Sequence, residues 1–340
     1  MNIEIDRLKK TEEGLWDDFV LGSGGSTFYH QTGWKRVIES AYGHKPHYLI
    51  AKVDGSVRGI LPLFKVGGKL VSMPFAPYGG PCTVNKDIER LLIDEAISLV
   101  REEDLSYLEL RNPVEIPEEQ LVTSGSYTTF IIQLHKNPDI LWRDTSKGAR
   151  RSVNKALKSN LKTAMGDSYL DNFYHIYSVK NRELGAPVHS RGFFEAILNE
   201  FPGRSSVQVA TADGRAVGAK FLLFFRDRII SGWAASDREY KSISPNSLLT
   251  WEILRYGCEN NYSVFDFGRS EKNTGSFNFK RSWANARVVD LHYQYYLNNA
   301  GKIPDISKLT LKRKLFSRLW STLPLGFTNR FGPSLRKHFP

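Results

Sequence analysis

Two stretches of the chain repeat one pattern of apolar and polar positions. HYLIAKVDGSVRGILPLF and SVQVATADGRAVGAKFLLF each read as strand, Asp-Gly turn, strand, with Asp54-Gly55 and Asp213-Gly214 aligned at an offset of 159 residues. Asp-Gly between apolar runs predicts a tight hairpin, because glycine accepts a positive φ. A third strand follows in each copy, within GKLVSMPFAPYGGP and RDRIISGWAAS, and then a helix. The first helix starts after Asn85 and spaces Leu91, Leu92, Ala96 and Leu99 as a buried stripe. The second starts at Ser244-Pro245 and runs through Asn260. YLELR and SVFDFGR close the two copies, with Glu109 lying 55 residues after Asp54 and Asp266 lying 53 after Asp213. This repetition predicts an α/β fold of two duplicated units, each a mixed sheet with helices packed on it.

Between the copies, Asp139 to Leu161 reads as one helix with Arg143, Lys147, Arg151 and Lys158 at helical spacing and Leu141, Val153 and Leu157 apolar. A second helix is expected from Leu170 to Leu184, ended by GAPVHS with its Pro187. The expected organisation is a first domain at 1–138, a second at 139–300 that begins with the basic helical segment, and a tail at 301–340. In that tail Leu311, Leu315, Phe316, Leu319 and Trp320 share one side of a helix and cations the other. Such a helix either docks on the protein body or lies on an anionic membrane, through residues 305–340.

Composition narrows the class. A length of 340 residues suits about two domains, and 41% hydrophobic with 24% charged residues is ordinary for a globular chain. Two cysteines, Cys82 and Cys258, exclude a disulfide framework and a multi-cysteine metal site. The charged opening MNIEIDRLKK does not read as a signal peptide, and no apolar run nears the roughly 20 residues of a membrane span, so a cytoplasmic or membrane-peripheral monomer is expected. Of the net charge of +11, residues 141–162 hold +6 and residues 307–340 hold +8, which leaves −3 for the rest. A near-neutral body with two basic appendages is not a uniformly basic nucleic-acid coat.

Motifs for phosphate-loop nucleotide hydrolysis, a nucleophile elbow or a His-Glu-x-x-His zinc site do not occur. His44 and His47 flank Lys45-Pro46, and Pro46 disfavours a helix that would align them. The densest run of unusual residues is FDFGRSEKNTGSFNFKRSWAN, which presents Arg269, Ser270, Lys272, Lys280 and Arg281 where a strand exits. It reads either as a site or as a hairpin with solvated cations.

The run FNFKRSW, with FYHQTGWKRVIE, PYGGP, WRDTSKGARRSVNKALKSNLK and FYHIYSVKNRELGAPVHSRGFF, resembles the Fem-type aminoacyl and acyl transferases over about residues 28–340. The resemblance is greatest to the FemAB-like branch of exosortase and exopolysaccharide loci, through FDFGRS, TG, FK and W. It implies two tandem GNAT-like domains and transfer of an acyl or aminoacyl group to an amine of a peptidoglycan-type or surface-polysaccharide precursor. It further implies that Lys280 reaches the reacting carbonyl beside Phe279, with Asp266 a weak candidate base. Lys35, Arg36 and Arg182 would clamp a nucleotide- or lipid-linked diphosphate acceptor, with Tyr78, Arg269 and Ser270 lining the groove. The resemblance implies aminoacyl-tRNA or acyl-CoA as donor, and no resident cofactor or metal is expected.

Two departures bear on mechanism. Gly79-Gly80-Pro81 is followed by Cys82, not a carboxylate, so a base expected from that segment is missing. Residues 240–246 lack the glycines with which acetyl-CoA users hold pyrophosphate, and Pro245 removes a donor. The basic 141–162 segment favours tRNA instead. An acetyl-CoA-dependent N-acetyltransferase and a non-catalytic RNA- or envelope-binding relative remain alternatives.

Overall fold

The computed structural model describes residues 2–298 and 311–339, without the side chains of 126 and 311–313. In chain order the elements are β1 (Ile3–Arg7), α1 (Glu13–Gly22), α2 (Thr32–Tyr42), β2 (Lys45–Pro46), β3 (Leu49–Val53), β4 (Ser56–Leu61), β5 (Leu63–Val66), β6 (Lys69–Ser72), β7 (Cys82–Thr83), α3 (Lys86–Glu102) and β8 (Tyr107–Asn112). Then come β9 (Val122–Gln133), α4 (Pro138–Asp144), α5 (Lys147–Lys158), β10 (Lys162–Met165), α6 (Leu170–Glu183), α7 (Arg191–Glu200), β11 (Ser205–Ala212), β12 (Arg215–Phe225) and β13 (Arg228–Ser236). The chain continues through α8 (Pro245–Glu259), β14 (Val264–Asp266), β15 (Ser270–Glu271), α9 (Gly275–Arg281), β16 (Arg287–Leu297), α10 (Leu311–Thr322) and α11 (Leu325–Arg336).

Two compact units divide the chain within β9. Unit 1 holds residues to Tyr127 and the described parts of Asp290–Ser307 and Lys337–Pro340; unit 2 holds Thr128–Val289 and the described part of Lys308–Arg336. The division therefore falls at 127/128, not 138/139, and the described residues after 300 are counted within the two units. The reason is strand pairing. Residues of β9 pair with β14 in unit 2, and residues of β16 pair with β8 in unit 1, so each sheet takes its last strand from a distant part of the chain.

Within the units the duplication is residue-exact in places. Both Asp-Gly turns have the same backbone, φ 47° and 79° at Asp54-Gly55 against 48° and 80° at Asp213-Gly214. Each hairpin bulges at the same offset, between Ala51 and Lys52 and between Ala210 and Thr211. In unit 1 Lys69 pairs in parallel with Tyr107 and Val71 with Glu109; in unit 2 Arg228 pairs in parallel with Val264 and Ile230 with Asp266. Beyond the helix the offset is 157. A side chain on Gly59 would strike Ile88 and Leu92 of α3, and one on Gly218 would press on Pro245 and Leu249 of α8, which lets each helix lie close to its sheet. One difference lies in the central strand: Pro62, which lacks an N–H, separates β4 from β5, whereas β12 runs through the equivalent Phe221 and bulges there.

The cores follow the sequence pattern closely. Helix α3 buries Ile88, Leu92, Ile93, Ala96, Ile97, Leu99 and Val100, while Leu91, expected inside, is exposed. The Asn85 side chain caps it by accepting from the Ile88 N–H at 3.0 Å. The single helix expected over 139–161 is two, broken at Thr145-Ser146, because Ser146 caps a new start by accepting from the Ala149 N–H. Helix α5 then buries Ala149, Val153 and Ala156, and Leu157 faces outward. Both cysteines are buried and neither forms a disulfide.

Candidate active site

The run Phe265 to Trp283 is not a hairpin but a strand exit followed by the short helix α9. At Gly268 the chain turns with φ +68°, where a side chain would meet the Ser231 carbonyl at 2.9 Å. Thr274 caps α9 by accepting from the Phe277 N–H at 3.2 Å, and the helix is pinned by Phe277 on Phe130 and Phe279 on the buried Trp283. This anchoring aims Lys280 back at the exit. Its ammonium donates to the Gly268 carbonyl at 2.9 Å and the Arg269 carbonyl at 3.1 Å. An ammonium has three donors, and among the described residues the third has no partner and no carboxylate forms an ion pair with it.

Burial pushes the Lys280 ammonium down to about 8; Asp266 opposes that shift and Arg269 adds to it. Asp266 is fully buried, and its Oδ1 accepts from Thr129 Oγ1 at 2.5 Å and from the Gly268 N–H at 2.8 Å. Arg228 stands 3.8 Å from Oδ2. These contacts make Asp266 the brace of the Gly268 turn. Ser270 is buried with its hydroxyl 3.3 Å from that of Ser276, and Arg269 contributes its carbonyl while its side chain is exposed.

Sequence reasoning passed over Lys220. It lies in β12, only 2% exposed, and donates to Thr250 Oγ1 of α8 at 2.8 Å; Thr250 in turn donates to the Asn246 carbonyl. Burial, and then the charge of Lys280, push Lys220 down to about 7. A single cation inside the apolar run Ala-Val-Gly-Ala-Lys-Phe-Leu-Leu was the available signal.

The expected acceptor clamp is divided between the units. In unit 1, Lys35 of α2 is bonded to Glu13 at 3.0 Å and to Glu39 at 3.2 Å, and Arg36 reaches the other Glu13 oxygen at 2.9 Å. Tyr78 is buried against Tyr29, and the following glycines donate their N–H groups to the Arg111 carbonyl at 3.0 Å each. In unit 2, Arg182 lines a cavity of about 500 Å³ with His175, Arg215 and Arg238. The Arg182 Nε is buried without a hydrogen-bond partner, whereas Arg215 is paired with Asp237 at 3.1 Å. Among the described residues no group of His, Cys, Asp or Glu could hold a metal ion, and no described helix is long and apolar enough to cross a membrane.

Residues 143–281, which include the whole Lys280 element, match the family model of the acetyltransferase (GNAT) domain. Unit 2 carries a GNAT acyltransferase domain. No curated protein matches the chain by sequence. Among solved structures it resembles FemX, with a TM-score of 0.67 at 15% identity over 87% of this chain and 98% of that one. The C-terminal domain of a putative lysylphosphatidylglycerol synthetase from Agrobacterium fabrum gives 0.59 at 10% identity over 85% and 93%. A tandem GNAT protein from the clavulanic acid biosynthesis pathway gives 0.56 at 14% over 86% and 98%. The fold is thus two tandem GNAT-like units, the second with the acyltransferase domain.

Proposed function

We propose that the GNAT chemistry of this chain is transfer of an acyl or aminoacyl group to an amine on a cell-envelope precursor. The observation that carries it is the Lys280 ammonium, clamped by two carbonyls with one donor left over. Attack of an amine on an activated carbonyl makes an oxyanion, and a preorganised donor there is worth about 3 kcal/mol in the transition state. Phe279 holds the helix that aims the lysine. FemX and the lysylphosphatidylglycerol synthetase resemblance support an envelope substrate. Placement in the exosortase- and exopolysaccharide-associated branch rests on the FDFGRS, TG, FK and W run alone.

Arg182, whose buried Nε has no partner, lines a cavity with Arg215 and Arg238 and with the acidic Glu183, Asp237 and Glu239, and its guanidinium suits a phosphate of the acceptor. Lys147, Arg151, Lys155 and Lys158 of α5 are exposed with no acidic partner among the described residues, which favours aminoacyl-tRNA as donor. Pro245 at the start of α8 weighs against pyrophosphate, and so against CoA, at that end.

The last two helices join both expectations for the tail. Trp320, Thr328 and Gly332 are buried, with Gly332 close to Val188, while Leu315, Leu319, Phe327 and Phe331 are exposed beside Lys314, Arg318 and Arg330. That outer face suits an anionic lipid surface. The full chain should float with phosphatidylglycerol vesicles at low salt, and Leu315→Ser with Leu319→Ser should stay in the pellet; equal flotation of both rejects the lipid reading.

The decisive experiment is mass spectrometry of the surface polymer from cells carrying the wild-type chain or Lys280→Ala. The variant should melt like wild type and leave the polymer without the transferred group. A polymer of unchanged mass would remove Lys280 from the mechanism.

A further inference from the structure

Helix α6 ends on a turn that the last two helices hold from outside. Gly185 makes the turn, in the left-handed region at φ +66°, and donates its N–H to the Arg182 carbonyl at 2.9 Å. The Gly185 carbonyl in turn accepts from Ser317 Oγ of α10 at 3.1 Å. A side chain on Gly185 would lie 2.3 Å from the Ser317 carbonyl oxygen, so the turn and α10 meet backbone to backbone. Three residues further on, a side chain on Gly332 of α11 would lie 3.0 Å from Val188 Cγ2 and 3.1 Å from the Val188 nitrogen, with the buried Trp320 at 3.6 Å. Two glycines, one on each side of the contact, thus seat α10 and α11 on the end of α6 with no room for a side chain between. Contacts packed this closely pass on displacement rather than absorb it.

This body carries two binding surfaces. One is the cavity to which α6 contributes Arg182, with its buried and unpartnered Nε. Two of the acids there are engaged, Asp237 with Arg215 at 3.1 Å and Glu183 with Lys180 at 3.3 Å. The other surface is the outer face of the helix pair. Leu315 and Leu319 lie two residues to either side of Ser317, about 200° round the helix, so they face away from α6. Both are well exposed, as are Phe327 and Phe331 of α11. Residues 307–340 hold eight Lys or Arg and no Asp or Glu. One-sided charge beside apolar side chains matches an anionic bilayer.

We propose that α10–α11 is a fixed mount, which holds the turn after Arg182 about 10 Å, one helix diameter, from an anionic bilayer, so that one rigid body binds the lipid surface and a phosphate carried at that surface. The proposal rests on the readings of Arg182 as a phosphate grip and of the outer face as lipid-binding, and goes beyond them in tying the two. Whichever contact forms first raises the effective concentration of the other ligand, because the geometry lets both engage. A phosphate free in solution gains nothing from the bilayer. Choice among acceptors then depends on where the phosphate is carried, not on the grip alone.

The test uses the full chain, with inorganic pyrophosphate in calorimetry and phosphatidylglycerol vesicles with or without a polyprenyl diphosphate in flotation. Wild type should bind pyrophosphate equally with and without plain vesicles, and should bind diphosphate-bearing vesicles about 100-fold more tightly than plain vesicles of the same net charge. Gly332→Val forces α11 off Val188; it should keep its affinity for pyrophosphate and for plain vesicles and lose the gain. No gain in wild type, or a gain that Gly332→Val retains in full, overturns the proposal. Should that variant not fold, hydrogen exchange on vesicle-bound wild type decides the point. Residues 184–189 should stay as protected as in the free chain, and faster exchange there means that lipid pulls the helices off α6, which also overturns the mount. If Arg182→Gln binds pyrophosphate like wild type, or plain vesicles do not float the chain, a reading beneath the proposal fails and takes it down. If both readings hold and the gain is absent, the mount alone fails.

Discussion

The two units place opposite solutions at one backbone address. Position for position, Glu109 of β8 corresponds to Asp266 of β14 and Arg111 to Gly268. In unit 1 the buried Arg111 guanidinium donates to Glu109 at 2.7 Å and to the carbonyls of Met73 and Ala76, while its own carbonyl accepts from Gly79 and Gly80. In unit 2 no side chain occupies that place, and the equivalent carbonyl accepts from the Lys280 ammonium. One unit closes the strand exit with an ion pair and a loop; the other leaves a cation there with a donor to spare. A duplicated fold thus supplies its own control. What both copies keep serves the fold, and what only one copy keeps at some cost to packing is a candidate for chemistry.

The comparison breaks most visibly if the ion pair of unit 1 proves dispensable. Arg111→Met leaves the Glu109 carboxylate buried without its partner, and removing one member of such a pair costs about 3–5 kcal/mol. Urea denaturation should show that loss. A change under about 1 kcal/mol would mean that the exit of unit 1 is not held by charge, and that the contrast with unit 2 has no energetic content.

A pH series sharpens the same contrast from the other side. The folded Lys220 is held down to about 7, whereas the unfolded side chain has the ordinary value near 10.5. Between those values the unfolded chain binds more protons than the folded one, so stability rises with pH, by up to about 1.4 kcal/mol per pH unit for this one group. Below about 7 both states hold the proton and the slope ends. Leu61 and Ile93, the positions in unit 1 equivalent to Lys220 and Thr250, titrate nothing. Melting temperatures of wild type and of Lys220→Leu with Thr250→Ile should therefore converge as pH rises from 7 to 10, with the variant ahead at pH 7. Parallel profiles would show that Lys220 is not discharged by folding.

Much of this was written locally in the chain. The hairpins, α3, α6 and α8 were legible because Asp-Gly turns, Asn and Pro starts and apolar spacing act within a few residues. Lys280 stood out because cations beside aromatics at a strand exit are unusual on any reading. The break at Thr145-Ser146 was also signalled, by a serine three residues before Ala149, but the continuous run of cations masked it. Lys220 was not legible as a site residue, because its setting comes from Thr250, which it bonds, and Gln208, across from it in β11, and both lie elsewhere in the sequence. The exchange of closing strands, which moves the unit boundary into β9, is likewise decided by pairing over long separations and leaves no local mark.

The smallest effect tests the two halves of the acceptor clamp. Arg182 keeps an unpartnered Nε, but Lys35 and Arg36 share Glu13, and Glu39 also holds Lys35. Burial alone would lower the Lys35 ammonium, yet the two carboxylates raise it above its ordinary range. A cation so engaged binds a phosphate only by releasing a carboxylate. Glu13→Gln should cost less than about 1 kcal/mol, as partly exposed ion pairs do. It should also tighten binding of inorganic pyrophosphate, measured by calorimetry at low salt, and Arg182→Gln should weaken it. If Glu13→Gln leaves pyrophosphate affinity unchanged while Arg182→Gln abolishes it, anion recognition belongs to unit 2 alone, and the α2 cations serve the helix packing of unit 1.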